Sequence, residues 1–325
     1  MGPYGSTGFF MPIGKSDQEV LVVEYVDSKL KERTARLSVI SNTVLVVLKL
    51  VVGFYTGAVS IISEAAHSAV DLLAAVIAFY AVRVADQPPD GNHAYGHGKV
   101  ENLSGAIEAV LIIVAAVWIV YEAGTKITST YTPEYLEYGI AIMILSIVLN
   151  YFVSNRLHKV AKKTGSHALE ADALHLQADI WTSAGVLIGL VIIKITGLAW
   201  LDPVIAILVA GVVFKAGYGM TKKSLYELTD ISLPPEEEQL IVDVINSHTE
   251  VISFHQLRTR RSGSRRLIDM HVILYKEMHL NEAHSVCDQI EAEIKEKLEF
   301  CDVVIHIEPC DHHKEMGICP KKKRE

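Results

Sequence analysis

The chain has 325 residues, half of them apolar, with 21% charged side chains and a positive mean hydropathy. That balance excludes a disordered or fibrous chain, and a net charge of −8 argues against nucleic acid as a partner. From Asp230 onward 19 acidic residues face 13 basic ones, and eight of the 14 histidines and all four cysteines lie there. The chain reads as a membrane part followed by a soluble part.

Residues 1–28 open with Gly, Ser, Pro and Phe-Phe and no basic start before an apolar run, so they are expected to be a disordered tail rather than a signal peptide. Six apolar segments follow, at residues 37–57, 59–83, 103–121, 138–155, 171–195 and 200–218. The fourth is an uncharged run of 18 residues, enough for a hydrocarbon core of about 30 Å. An all-α transmembrane domain of six helices is expected over residues 29–229. Lys29, Lys31, Arg33 and Arg36 precede the first span, Arg156, Lys159, Lys162 and Lys163 follow the fourth, and Lys222 and Lys223 follow the sixth. Basic flanks and even parity place both termini in the cytosol.

Ionisable groups inside a span are expensive and point to function. The second span carries His67 and Asp71, the fifth His175 and Asp179. A spacing of four puts each pair on one helix face, about 6 Å apart along the axis. The two spans run in opposite directions, so side by side His67 falls level with Asp179 and Asp71 with His175. Two nitrogens and two carboxylates suit a divalent ion such as Zn²⁺. Protons and metal then compete for the same atoms, which is the basis of a metal/proton exchanger. Glu64 and Asp172, each three residues before the histidine of its pair, are candidates for metal release and metal collection. Asn42 and Glu108 are expected to bond neighbouring helices, and Lys49 to snorkel.

Between the second and third spans, Asp90, His93 and His97 lie within a short glycine-bearing loop, a workable ligand set. The paired His-x-x-x-Asp motifs, the loop His93-Ala-Tyr-Gly-His97-Gly-Lys99-x-Glu101 and the six-span plan resemble the cation diffusion facilitator family, proton-coupled exporters of zinc and related divalent metals. The resemblance covers nearly all of the chain beyond Ser28 and implies that His67, Asp71, His175 and Asp179 form the transport site. Some bacterial members have Asp at the position of His67, with broader or iron-tolerant selectivity; the set here favours zinc. Asp90, His93 and His97 match a loop-borne metal site of some members. Lys99 and Asp230 match a charge pair that interlocks the membrane halves of the family's dimers.

From Pro234 the periodicity changes. Pro234-Pro235-Glu-Glu-Glu opens a helix; strand patterns follow at 251–259 and 266–275, a helix at 281–298 and a last strand at 302–307. The order αββαβ predicts a small α+β domain over residues 230–309, able to hold its own core. By resemblance it is the family's metallochaperone-like cytosolic domain, which mediates homodimerisation. There His255, His271, His284 and His306, with Glu308 where the family pattern has Asp, correspond to regulatory metal ligands. The tail, residues 310–325, carries Cys310, His312, His313 and Cys319, soft candidates for Zn²⁺ or copper. Four cysteines in a cytosolic domain are expected to be reduced thiols with no disulfide framework.

The reading is a homodimeric antiporter of a bacterial inner membrane, with Zn²⁺ as substrate and regulatory ligand, protons as counter-ion, the bilayer as its medium and no organic cofactor. A metal-gated channel or a membrane-anchored metal sensor are the alternatives. Fe²⁺, Cd²⁺, Mn²⁺, Co²⁺ or Ni²⁺ remain open as substrates, because geometry beyond the ligands decides among them. An intramembrane hydrolase lacks a His-Glu-x-x-His or Gly-x-Ser-x-Gly stretch.

Overall fold

The computed structural model describes residues 15–56, 59–126, 136–196 and 201–310. Six long helices come first: α1 (Lys15–Thr56), α2 (Val59–Ala85), α3 (Lys99–Lys126), α4 (Leu136–Thr164), α5 (His167–Thr196) and α6 (Leu201–Leu228). Among the described residues five stretches are long and apolar enough to cross a membrane: Asp27–Tyr55, His67–Ala85, Lys99–Tyr121, Ile140–Thr164 and Val204–Leu228. The remaining helix, α5, has 30 residues, about 45 Å of helix, and packs among the others.

α1 begins at Lys15, well ahead of the expected tail boundary at residue 28. Contacts of this helix are described from Asp27 on. Leu30 packs into the bundle, Asp27 is buried against Lys163 at 2.8 Å, and Glu32 pairs with Arg36 one turn on. These contacts tie the part of α1 that precedes its apolar run to α4 and to its own next turn.

The helices meet through small residues, as expected where lipid supplies no hydrophobic drive between them. Ala35, Ala81, Ala161, Ala168 and Ala173 line the contact of α1, α2, α4 and α5 around Leu157, Leu169 and Leu176. α3 runs along α6, and a Cβ on Gly217 would stand 3.0 Å from Ile112 and Ile113, so this crossing depends on glycine.

The soluble part follows the expected order: α7 (Pro235–Ser247), β1 (Val251–Ser262), β2 (Arg265–Leu274), α8 (Leu280–Lys297) and β3 (Cys301–Pro309). β1 and β2 form an antiparallel hairpin, while β3 pairs parallel to β2, which requires the α8 crossover. Ile241, Val244 and Ile245 of α7, Ile290 and Ile294 of α8, and Ile268, Met270 and Val272 of β2 close one apolar core. Glu237 in the first turn of α7 bonds Arg266 at 2.8 Å and Arg261 at 2.5 Å, tying α7 to the hairpin. Gln256, left-handed at φ 51, marks a bulge in β1 and shifts its register to β2.

Cys287 and Cys301 are free thiols, and burial pushes Cys301 up to about 11. Cys310 is disulfide-bonded, which corrects the expectation of four reduced thiols. It stands at the last described position, just past the final strand.

Candidate metal transport site

α2 and α5 pack in opposite directions, and their polar faces meet. His175 Nε2 lies 3.2 Å from Asp71 Oδ1, both side chains buried. His67 Nε2 is 4.0 Å from the same oxygen. His67, Asp71 and Asp179 each offer a ligand atom within 4.8 Å of the other two. A tetrahedron with bonds of about 2.0–2.1 Å has edges of about 3.3 Å. His67, Asp71 and Asp179 are the three that gather into a group able to hold an ion, and His175 joins it only through its contact with Asp71. Asp71 and His175 form the buried floor, and half-exposed His67 closes the open side.

Other polar groups surround this cluster. Asp172 is fully buried one turn before His175 but stays outside the ligand group. Glu64 lies where side chains are outside the described residues. Glu108 is fully buried and accepts from Ser104 of its own helix at 3.2 Å, with no bond to a neighbouring helix among the described residues. Lys49 does not snorkel. Its ammonium is buried and donates to Ser68 Oγ at 2.7 Å, in the field of Asp71 and Asp179. Two carboxylates nearby draw the cation inward.

In the loop, Asp90, His93 and His97 also bring ligand atoms within 4.8 Å. Asp90 accepts from the backbone of His93 at 2.7 Å and of Asn92 at 2.8 Å, and those two N–H groups hold its carboxyl below the usual range. His93 Nδ1 stands 3.2 Å and His97 Nε2 3.4 Å from the carboxylate. Gly96, at φ 78, makes the turn that returns His97 to Asp90.

On the sheet, His255 pairs with His271 and His271 with His306, one row across three strands. Neighbouring rings are 5.0 and 4.7 Å apart. Glu308 reaches the row: its carboxylate lies 2.8 Å from His271 Nδ1, 3.6 Å from His255 Nε2 and 3.8 Å from His306 Nε2. His255, His271 and Glu308 form the tight ligand group. His284 sits on the exposed face of α8 beside Asp288 at 3.8 Å and does not join it. Cys310 lies past the end of this strand, and His312, His313 and Cys319 are outside the described residues.

Lys99 bonds Asp230 at 2.8 Å, and Arg260 reaches the same oxygen at 3.2 Å. Lys99 leads the causes that hold Asp230 below its usual value, with Arg260 adding to it. Both partners are more than a third exposed, so the pair steers orientation more than it stabilises.

Sequence reasoning missed two buried polar groups at the helix ends nearest the soluble domain. Lys31, read as a flanking charge, is buried between Asp86 and Glu101, the latter at 3.4 Å. Asn102 of α3, Glu227 of α6 and His167 of α5 meet in a second group. Each partner lies far away in sequence, so no local spacing announces either one.

A helical membrane bundle joined to an αββαβ domain, with imidazole–carboxylate groups in both, is the build of a membrane transporter for cations. Residues 35–229 match the cation efflux transmembrane domain and residues 233–310 the cytoplasmic domain of cation efflux proteins. The chain belongs to the cation efflux family and is a transporter, not an enzyme. It is 35% identical over 288 residues to the uncharacterized transporter sll1263 of Synechocystis, covering 88% of this chain and 93% of that one. The cation-efflux pump FieF of Citrobacter koseri is 31% identical over 288 residues, covering 87% and 94%. Among solved structures the chain is similar to the metal-bound C-terminal domain of the CzcD transporter from Thermotoga maritima, 28% identical with a TM-score of 0.22, over 23% of this chain and 87% of that one.

Proposed function

We propose that the chain exports divalent metal, Zn²⁺ before others, from the cytosol in exchange for protons. The observation that supports this most is the meeting of α2 and α5, where His67, Asp71 and Asp179 gather within 4.8 Å and His175 clasps Asp71. Two carboxylates match the charge of a divalent ion, and two imidazoles bias the set toward zinc. The same atoms accept protons, so metal arriving from the cytosol displaces them and protons arriving from outside displace metal. The helices rock around the site, which opens to one side at a time.

The protein works as a homodimer in a bacterial inner membrane with both termini in the cytosol. Metal at His255, His271 and Glu308, with His306 alongside, stabilises the transport-competent arrangement by binding it more tightly than the alternative. Asp90, His93 and His97 hold a further ion at the cytosolic entrance, and Asp172 passes metal toward His175.

The test is flux in vesicles holding purified protein, read by a zinc dye and a pH dye together. An exchanger moves protons against zinc in a fixed ratio. Zinc movement without protons makes it a channel, and neither movement leaves a metal sensor. Competition by Cd²⁺, Fe²⁺, Mn²⁺, Co²⁺ and Ni²⁺ in the same assay ranks the substrates.

A further inference from the structure

The tip of the β1–β2 hairpin enters the ends of the membrane helices nearest the soluble domain. Gly263, left-handed at φ 60, is buried there, and a Cβ on it would stand 2.6 Å from the Gly98 carbonyl oxygen. A Cβ on Gly98 would in turn stand 2.3 Å from the Ser262 carbonyl oxygen. Backbone meets backbone at both positions, so the two glycines form a keyed joint between the soluble domain and the start of α3. On a third side Gly165, in the turn between α4 and α5, packs against Ser264 with its would-be Cβ 3.7 Å from Cα.

A polar chain leaves this joint. The Gly263 amide donates to Asn102 Oδ1 at 3.1 Å, and Asn102 Nδ2 donates to Glu227 Oε2 at 2.5 Å. That same oxygen lies 2.8 Å from His167 Nε2. Asn102, Glu227 and His167 are all buried. The two bonds fix the amide of Asn102: flipped, it would present its NH₂ to the Gly263 N–H and its oxygen to a carboxylate. Its role requires one acceptor facing the soluble domain and one donor facing α6.

His167 is the first residue of α5, the helix that carries His175 about 12 Å further on and Asp179 one turn beyond. The hairpin tip, α3 and α6 are thus joined by two consecutive hydrogen bonds in a buried setting, where a broken one leaves an unpaired polar group, and Glu227 reaches α5 through a close approach to His167 that is not aligned as a hydrogen bond. We infer that Asn102 is a positioning residue which, with Glu227, transmits the seating of the Gly263 turn to the start of α5 and so sets the placement of its metal ligands. The inference rests on the exporter reading for its consequence in transport, whereas the mechanical link stands apart from it.

The experiment uses the full chain in vesicles and two variants, Asn102→Asp and Gly263→Ala. Asn102→Asp is isosteric; it keeps the acceptor for Gly263 but loses the donor to Glu227. Backbone hydrogen exchange of residues 168–172 and of residues 262–265 is followed with zinc-driven flux. For Asn102→Asp the expected result is faster exchange at 168–172 with 262–265 still protected, and turnover lowered roughly tenfold, the scale of one lost charge-assisted hydrogen bond, at unchanged KM. Gly263→Ala is expected to speed exchange in both stretches, and the double variant to lose no more turnover than the worse single one. Unaltered exchange at 168–172 in Asn102→Asp, or additive losses, overturns the link. Faster exchange with wild-type turnover overturns its role in placing the ligands. Absence of flux in the wild-type chain would count against the exporter reading, while the exchange data still decide the link.

Discussion

Asp71 on α2 and His175 on α5 touch across the bundle, Oδ1 to Nε2, at 3.2 Å. The contact makes Asp71 the hinge of the ligand group, since His67 approaches the same oxygen from its own helix at 4.0 Å. Asp71→Asn keeps the shape and removes the charge. Loss of a direct ligand costs at least the ~100-fold that the loss of an outer partner reaches. The zinc dependence of flux in vesicles should shift by that much or flux should vanish; an unchanged KM contradicts the assignment.

Glu237 predicts an acid response of the soluble domain. Burial pushes its carboxyl up, but Arg266 and Arg261 outweigh burial and hold it below 4.5. A carboxyl whose folded value is depressed adds stability that is complete above its unfolded value and lost as pH falls through the lower folded one. The wild-type chain should therefore exceed Glu237→Gln in stability above pH 4.5, and the gap should close as pH drops below it. Hydrogen exchange of β1 and β2 in the full chain, read across that range, checks the sign. A gap that widens toward acid pH contradicts it.

The histidine row should bind metal through His271, the member nearest Glu308. His271→Ala should weaken zinc binding by the soluble domain roughly tenfold or more. Glu308→Asp should weaken it less, because the donor type survives. His284→Ala, on the far face of α8, should leave this affinity unchanged. Equilibrium zinc binding to full chains lacking the loop histidines measures all three.

Ile290 of α8 is fully buried in the soluble core. Ile290→Ala removes three carbons there and should cost about 2–5 kcal/mol. Denaturant melting of the full chain, followed by hydrogen exchange in β2, reports the loss. A change below about 1 kcal/mol would mean the site collapses freely and the core is looser than its packing indicates.

Local period and spacing carried much of the architecture. His67 and Asp71, like His175 and Asp179, are four apart, so each pair must share a helix face, and opposite span directions then level one pair with the other. The alternation at Leu267, Asp269, His271 and Ile273 marks β2 in the same way. Groups held by long-range contact were hidden. Asn102 and Glu227 are 125 residues apart, and Lys31 and Glu101 are 70 apart. Lys49 looked like a snorkelling cation because its partner, Ser68, is uncharged and on another helix. The bulge at Gln256 sits on a non-glycine residue in the left-handed region, which no turn signal announces. His284 shared a histidine-rich composition with the sheet row but lies on the helix face turned away from it.

X-ray absorption at the zinc edge tests the account most directly, on full chains in which His93, His97 and His271 are replaced by Ala. The expected spectrum is one zinc per chain with nitrogen and oxygen ligands at about 2.0–2.1 Å. Its imidazole signal should fall when His67 or His175 is also replaced. Chains that hold no zinc after the triple replacement, or a zinc whose imidazole signal ignores both His67 and His175, would contradict it.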